Sequence, residues 1–129
     1  MKCKICEKYA TRRGSATDGA PSAAAGRLVT AVVAAAFAVP VADLCAPTRR
    51  SAPVAFARQS AMYLSHVTLG MSLTAVGRAF GRDRSTAAHA CQLIEDRRDD
   101  PAIDAMLAGL EEAVGSMRDR AAAGREVRA

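Results

Sequence analysis

The sequence predicts an all-α domain of about five to six helices, and three observations carry that reading. Hydrophobic residues make up 50% of the 129 positions but aromatic ones only 4%, so the core must be built from Ala, Val, Leu and Met, residues that favour helix over strand. Apolar positions recur at spacings of three and four along several segments. Ser or Asp stands ahead of those segments, and Gly or Pro marks where they stop.

Residues 1–26 open with the basic run Met1 to Lys8 and continue through Gly, Ser, Ala, Thr, Asp and Pro with hardly a large apolar side chain. Such a composition cannot offset the entropy of ordering, so a flexible tail is expected. Residues 27–37 are apolar nearly all round, with Leu28, Val32 and Phe37 the larger members. They read as a first helix buried on every side, which Pro40 ends. Val41 to Leu44 allows one helical turn. A loop carrying Arg49 and Arg50 follows, then Ser51 and Pro53 mark the start of a helix that runs to about His66. Val54, Ala57, Ala61 and Leu64 keep helical spacing along it, with Arg58 and Gln59 off that line, and Gly70 breaks it.

Ser72 caps a short helix ending near Phe80, in which Leu73, Val76 and Phe80 share one face. Gly81 makes the turn. Asp83 caps the next helix, whose buried face is Ala87, Ala90, Cys91 and Ile94, with Arg84, Ser85, Ala88, His89 and Gln92 turned outward. Two short helices joined by so tight a glycine turn form a helix-turn-helix, here spanning about residues 72–97. Asp100 and Pro101 open a last helix in which Ile103, Met106, Leu107, Leu110, Val114 and Met117 keep helical spacing. The domain is expected over residues 27–120, with 121–129 disordered.

Charge narrows the function. The chain carries +5 overall, but residues 27–94 hold seven arginines against two aspartates, whereas 95–129 hold six cations against nine carboxylates. The cationic field therefore coincides with the helix-turn-helix, as duplex DNA binding requires. The apolar run 28–41 is too short for a membrane span, which takes about 20 residues. As a signal-peptide core it would follow too long and too acidic a leader. Cys3, Cys6, Cys45 and Cys91 are accordingly expected as reduced thiols in a cytoplasm, with an exported or lipid-anchored protein as the remote alternative. Cys3-x-x-Cys6 lacks a second ligand pair at zinc spacing, so no metal or other cofactor is expected. The carboxylates gather at helix caps and outer faces rather than around a nucleophile or base, so no catalytic residues are assigned.

Several blocks in order carry a resemblance: Val41-Ala42-Asp43-Leu44, Ala57 to Leu64, Ser72-Leu73, Gly77-Arg78-Ala79-Phe80-Gly81, Arg82-Asp83, Ser85-Thr86 and His89-Ala90-Cys91. Over residues 27–97 the chain resembles the C-terminal DNA-binding domain of the bacterial replication initiator DnaA. The resemblance implies that Arg58 and Gln59 hold phosphates, that Arg49 or Arg50 enters the minor groove, and that Asp83, Ser85 and Thr86 meet bases or backbone in the major groove. Leu73, Thr74, Arg78, Arg82 and His89 complete the expected contact set. His89 reads equally as a solvated helix residue. Departures are a single Gly81 where the family pairs two glycines, a loop around Pro47 one residue longer, and His66 where a lysine is common. Arg84 replaces a base-reading histidine, and since arginine grips guanine O6 and N7, a different base preference is expected. No Lys follows Lys8, so no Gly-x-x-x-x-Gly-Lys nucleotide loop exists in these residues. The expectation is thus a nucleoid-located, sequence-specific reader of double-stranded DNA without ATPase function. It would serve as a transcriptional regulator or, alternatively, a replication-control or nucleoid protein competing for initiator sites, with a homodimer through the last helix as an open option.

Overall fold

Helix-forming runs separated by short breakers set the architecture, which a computed structural model describes for residues 22–44 and 52–128. Six helices and no strand are found among the described residues: α1 Ser22–Phe37, α2 Val41–Leu44, α3 Ala52–Val67, α4 Leu73–Ala79, α5 Arg84–Arg97 and α6 Pro101–Arg128. The all-α expectation holds. The tail before Ser22 and the loop with Cys45, Arg49, Arg50 and Ser51 lie outside the described residues.

The breakers act as expected, and one acts earlier than proline. Ala38 adopts a left-handed conformation, φ 54°, and the Val39 N–H then donates to the Ala34 carbonyl at 2.9 Å, the 6→1 bond of a Schellman cap. The helix has already ended when Pro40 is reached. Gly70 and Gly81 take positive φ, 73° and 66°, where glycine carries no Cβ penalty.

Helix α3 is the spine. Ala57, Ala61, Tyr63 and Leu64 are fully buried, and the helix packs against α1, α5 and α6. Leu44, Val33, Ile94, Leu107 and Val114 close the same core from the other helices. An aliphatic side chain of this size contributes about 1.5–3 kcal/mol when taken from water, so these few anchors dominate the packing energy.

Three expectations need correction. Helix α1 is not buried all round: Val29, Thr30, Val33 and Ala34 are buried, but Arg27, Ala31, Ala35 and Ala36 are exposed, because its neighbours cover one side only. It also starts at Ser22, five residues ahead of the expected boundary, while α6 runs on to Arg128. The apolar stripe of α6 divides, with Leu107, Leu110 and Val114 buried and Met106 and Met117 exposed at 36% and 43%.

A polar lock holds the far end of α5. Arg98, its C-cap, pairs with Asp104 at 2.6 Å and Glu111 at 2.9 Å and donates to the Tyr63 hydroxyl at 3.0 Å. That hydroxyl in turn donates to Glu95 at 2.9 Å. Burial works against the guanidinium charge, but the hydrogen bonds to Asp104, Tyr63 and Glu111 outweigh it and raise the pKa above the usual arginine value. Helices α3, α5 and α6 are thereby tied at one point.

Candidate nucleic-acid interface

The site is built outward from two caps and one glycine contact. The Ser72 side chain accepts from the Ala75 N–H at 3.1 Å, fixing the start of α4, and Asp83 Oδ1 accepts from the Thr86 N–H at 2.8 Å, fixing the start of α5. Between them, the Arg82 N–H donates to the Gly77 carbonyl at 2.7 Å while Gly81 supplies the left-handed step. A side chain at Gly77 would meet the Arg82 carbonyl oxygen at 2.7 Å and Asp83 backbone atoms at 2.9 Å. Helix α4 therefore rests directly on the backbone of the turn, and the first turn of α5 is held in one place.

On this scaffold the outward-facing residues separate by role. Thr74 and Arg78, four residues apart on α4, are exposed, as are Asp83, Arg84, Ser85, Thr86 and His89; Arg82 is half-buried. Asp83 Oδ1 also accepts from the Ser85 hydroxyl at 2.9 Å. The Thr86 backbone N–H, the Thr86 hydroxyl and the Ser85 hydroxyl together hold the Asp83 carboxyl below its ordinary value of 3.8, so it stays ionised as an α5 cap at neutral pH. Arg78 and Arg84 form no side-chain hydrogen bond or ion pair among the described residues. Gln92 donates to Asp96 at 3.0 Å one turn further along α5.

Two expected contact residues sit elsewhere. Leu73 is 4% exposed, packed in the core beside Val76 and Phe80, so its side chain cannot meet DNA. Arg58 is 6% exposed: its Nε donates to the Leu44 carbonyl at 2.9 Å and an Nη to the Asp43 carbonyl at 2.8 Å. A guanidinium turned inward to satisfy the carbonyls that end α2 is a structural cap, not a surface cation. His66, matched to a common lysine, is likewise buried, with Nδ1–H donating to the Met71 carbonyl at 2.8 Å. Gln59 stays half-buried on α3, beside Arg97, in a shallow groove with Phe56 and Leu93. Arg49 and Arg50 are outside the described residues.

One residue of the site had no role assigned from sequence. Gly77 lies mid-helix, where glycine costs about 1 kcal/mol against alanine, and that local cost is the signal of a close backbone approach. No described helix is long and apolar enough to cross a membrane.

Comparisons with known proteins agree with this geometry. Residues 27–94 match the family described as bacterial dnaA protein helix-turn-helix. Among relatives, chromosomal replication initiator protein DnaA 2 of Chlamydia muridarum is 45% identical over 65 residues, which are 50% of this chain and 14% of that protein. DnaA 1 of Protochlamydia amoebophila is equally similar over the same extent. DnaA of Microcystis aeruginosa is 35% identical over 92 residues, 70% of this chain and 20% of that protein. The chain thus spans between a seventh and a fifth of the length of these relatives. With more than half of its residues inside the matched region and α4, the Gly81 turn and α5 in place, the chain belongs to the bacterial DnaA helix-turn-helix family of DNA-binding domains.

Proposed function

We propose that the chain recognises specific sequences in duplex DNA by placing the first turns of α5 in the major groove, and that it regulates transcription. The observation that carries this reading is the pairing of a rigidly docked, capped α5 N-terminus with exposed Arg78 and Arg84 that have no described protein partner. Donors and a positive dipole end aimed at one surface suit a polyanion. The names of the relatives support a second reading, competition for initiator-type sites in replication control.

Selection of bound fragments from random duplexes, followed by salt titration on the selected site, tests the proposal. A sequence motif should emerge. The affinity should fall with salt at a log–log slope of about −3 to −4.5, for about three to five neutralised phosphates. The motif also reports assembly. An inverted repeat marks a dimer joined through the exposed Met106 and Met117 of α6, and a single half-site marks a monomer. A motif matching the initiator box favours the replication reading; a flat salt response removes DNA binding altogether.

A further inference from the structure

We propose that the outer face of α6 seats a second copy of this chain, paired antiparallel about Ala113, and that the pairing makes occupation of two adjacent half-sites on DNA cooperative. The pairing stands on α6 alone; only its consequence for DNA rests on the reading above. Leu107, Leu110 and Val114 face the body of the domain. At 3.6 residues per turn, Ala102, Met106, Gly109, Ala113, Met117 and Arg120 fall in a second sector about 80° wide, and all six are exposed. Arg120 is the one charge of that sector within residues 101–120, since Asp104, Glu111, Glu112, Arg118 and Asp119 all lie outside it. Helix α1, which packs against α6, has no charged residue from 28 to 42. A face so cleared of charge suits neither DNA nor a strongly acidic or basic partner; it suits an apolar surface like itself.

Gly109 supplies the shape of the seat. Glycine within a helix costs stability relative to alanine. The backbone packed on Gly77 explains that glycine, but a Cβ at Gly109 would meet no atom within 4 Å. Nothing in the single chain calls for a missing side chain there. Met117, eight residues on, is exposed, and Ala113 lies midway. A two-fold axis at Ala113 therefore sets Met117 of each copy in the notch at Gly109 of the other. It also lays the aliphatic stem of Arg120 along Met106 of the second copy while the guanidinium stays in water. Parallel pairing would set methionine on methionine and notch on notch, leaving a void. The residues shared in the antiparallel register, 106–120, run about 22 Å. Such an overlap buries on the order of 800 Å² in total, below the roughly 1,200–2,000 Å² of a stable complex. The pair is accordingly weak in solution, and two half-sites on one duplex supply the effective concentration that completes it.

Gly109→Cys and Met117→Cys, made separately in the full chain and oxidised at high protein concentration, test the register. Each variant alone should form no disulfide at its new thiol, because two copies of either position stand about 12 Å apart along the helices, whereas the bond needs Cα atoms within about 7 Å. A mixture of the two should cross-link, with peptide mapping placing the bond between positions 109 and 117 and not at a native cysteine. Gly109→Leu fills the notch. Its urea midpoint should be no lower than that of wild type, because leucine is the better helix former and the site is open in the single chain. Its affinity for an inverted repeat of the selected half-site should nevertheless fall by about 10- to 100-fold, with affinity for one half-site unchanged. Met117→Glu, at an exposed position, should behave in the same way. The pairing is overturned if the mixture does not cross-link, or if each variant links to itself as readily as to the other. The cooperative role is overturned if selection returns a single half-site, or if both notch variants bind the inverted repeat as tightly as wild type. Failure of wild type to bind any duplex would instead remove the DNA-binding reading and leave the cross-link to decide the pairing.

Discussion

Arginines serve opposite ends at the two poles of this molecule. At the end of α5 where α3, α5 and α6 converge, Arg98 is turned back on the protein, with Asp104, Glu111 and Tyr63; away from that point Arg118 donates to the Thr68 carbonyl at 2.7 Å and Arg58 closes the end of α2. At the other pole Arg78 and Arg84 project from α4 and the start of α5 without described partners. A count of positive charge does not distinguish these two groups. What does is the supply of unsatisfied carbonyls and carboxylates within reach, because a buried or half-buried acceptor recruits the nearest guanidinium before any ligand arrives.

The largest test of this division is to exchange a member of each group. Arg58→Ala would leave the Asp43 and Leu44 carbonyls without their donor in a buried place, and should lower unfolding stability by about 2–4 kcal/mol. Arg98→Ala should cost about 2 kcal/mol, less because the network is partly wet. Urea denaturation checks both, and Arg78→Ala should leave the midpoint within about 0.5 kcal/mol of wild type. A salt-slope change without lost stability in Arg58→Ala would move Arg58 to the DNA-facing group and break the comparison.

A smaller effect is expected at Gly77, which seats α4 on the turn ahead of α5. In Gly77→Ala the new methyl would meet backbone oxygens at 2.7–2.9 Å, and backbone cannot swing aside as a side chain can. Overpacking of this kind costs about 1–3 kcal/mol, partly offset by alanine's helix propensity of about 1 kcal/mol. The telling readout is a larger loss of DNA affinity than of stability, since the clash displaces the turn that positions Arg84. Equal alanine tolerance in folding and binding would show that the close approach is dispensable.

The helix-turn-helix was legible because its signals are local. Ser72, Gly81 and Asp83 lie within the turns they build, and the spacing of Ala87, Ala90, Cys91 and Ile94 marks the buried face directly. Asp100 accepts from the Ala102 N–H at 2.9 Å at the head of α6, as its place before Pro101 implies. Arg58 was misplaced because its partners are set by tertiary packing: the Leu44 carbonyl lies 14 residues away, and no local pattern signals it. Likewise the outward turn of Met106 and Met117 depends on how much of α6 the body of the domain covers.

The smallest effect concerns Asp83, whose carboxylate links the presented pole to pH. Its pKa is lowered in the folded protein by the Thr86 backbone N–H, the Thr86 hydroxyl and the Ser85 hydroxyl, so the folded state binds this proton less readily than the unfolded chain does. By linkage, the contribution of the ionised cap is fully present above the unfolded value near 3.8 and is lost as pH falls through the lower folded value. Asp83→Asn isolates it, because asparagine caps a helix comparably but does not titrate. Wild type and Asp83→Asn should therefore differ in urea midpoint by a constant amount from about pH 5 to 8, with the difference shifting against wild type as the solution is made more acid. Over that neutral range DNA affinity should show no dependence on this group. A stability difference that is flat down to pH 2.5, or that moves in favour of wild type on acidification, would mean that the Asp83 charge does not support α5, and that the first turn is held by the Gly77 contact and the Gly81 turn alone.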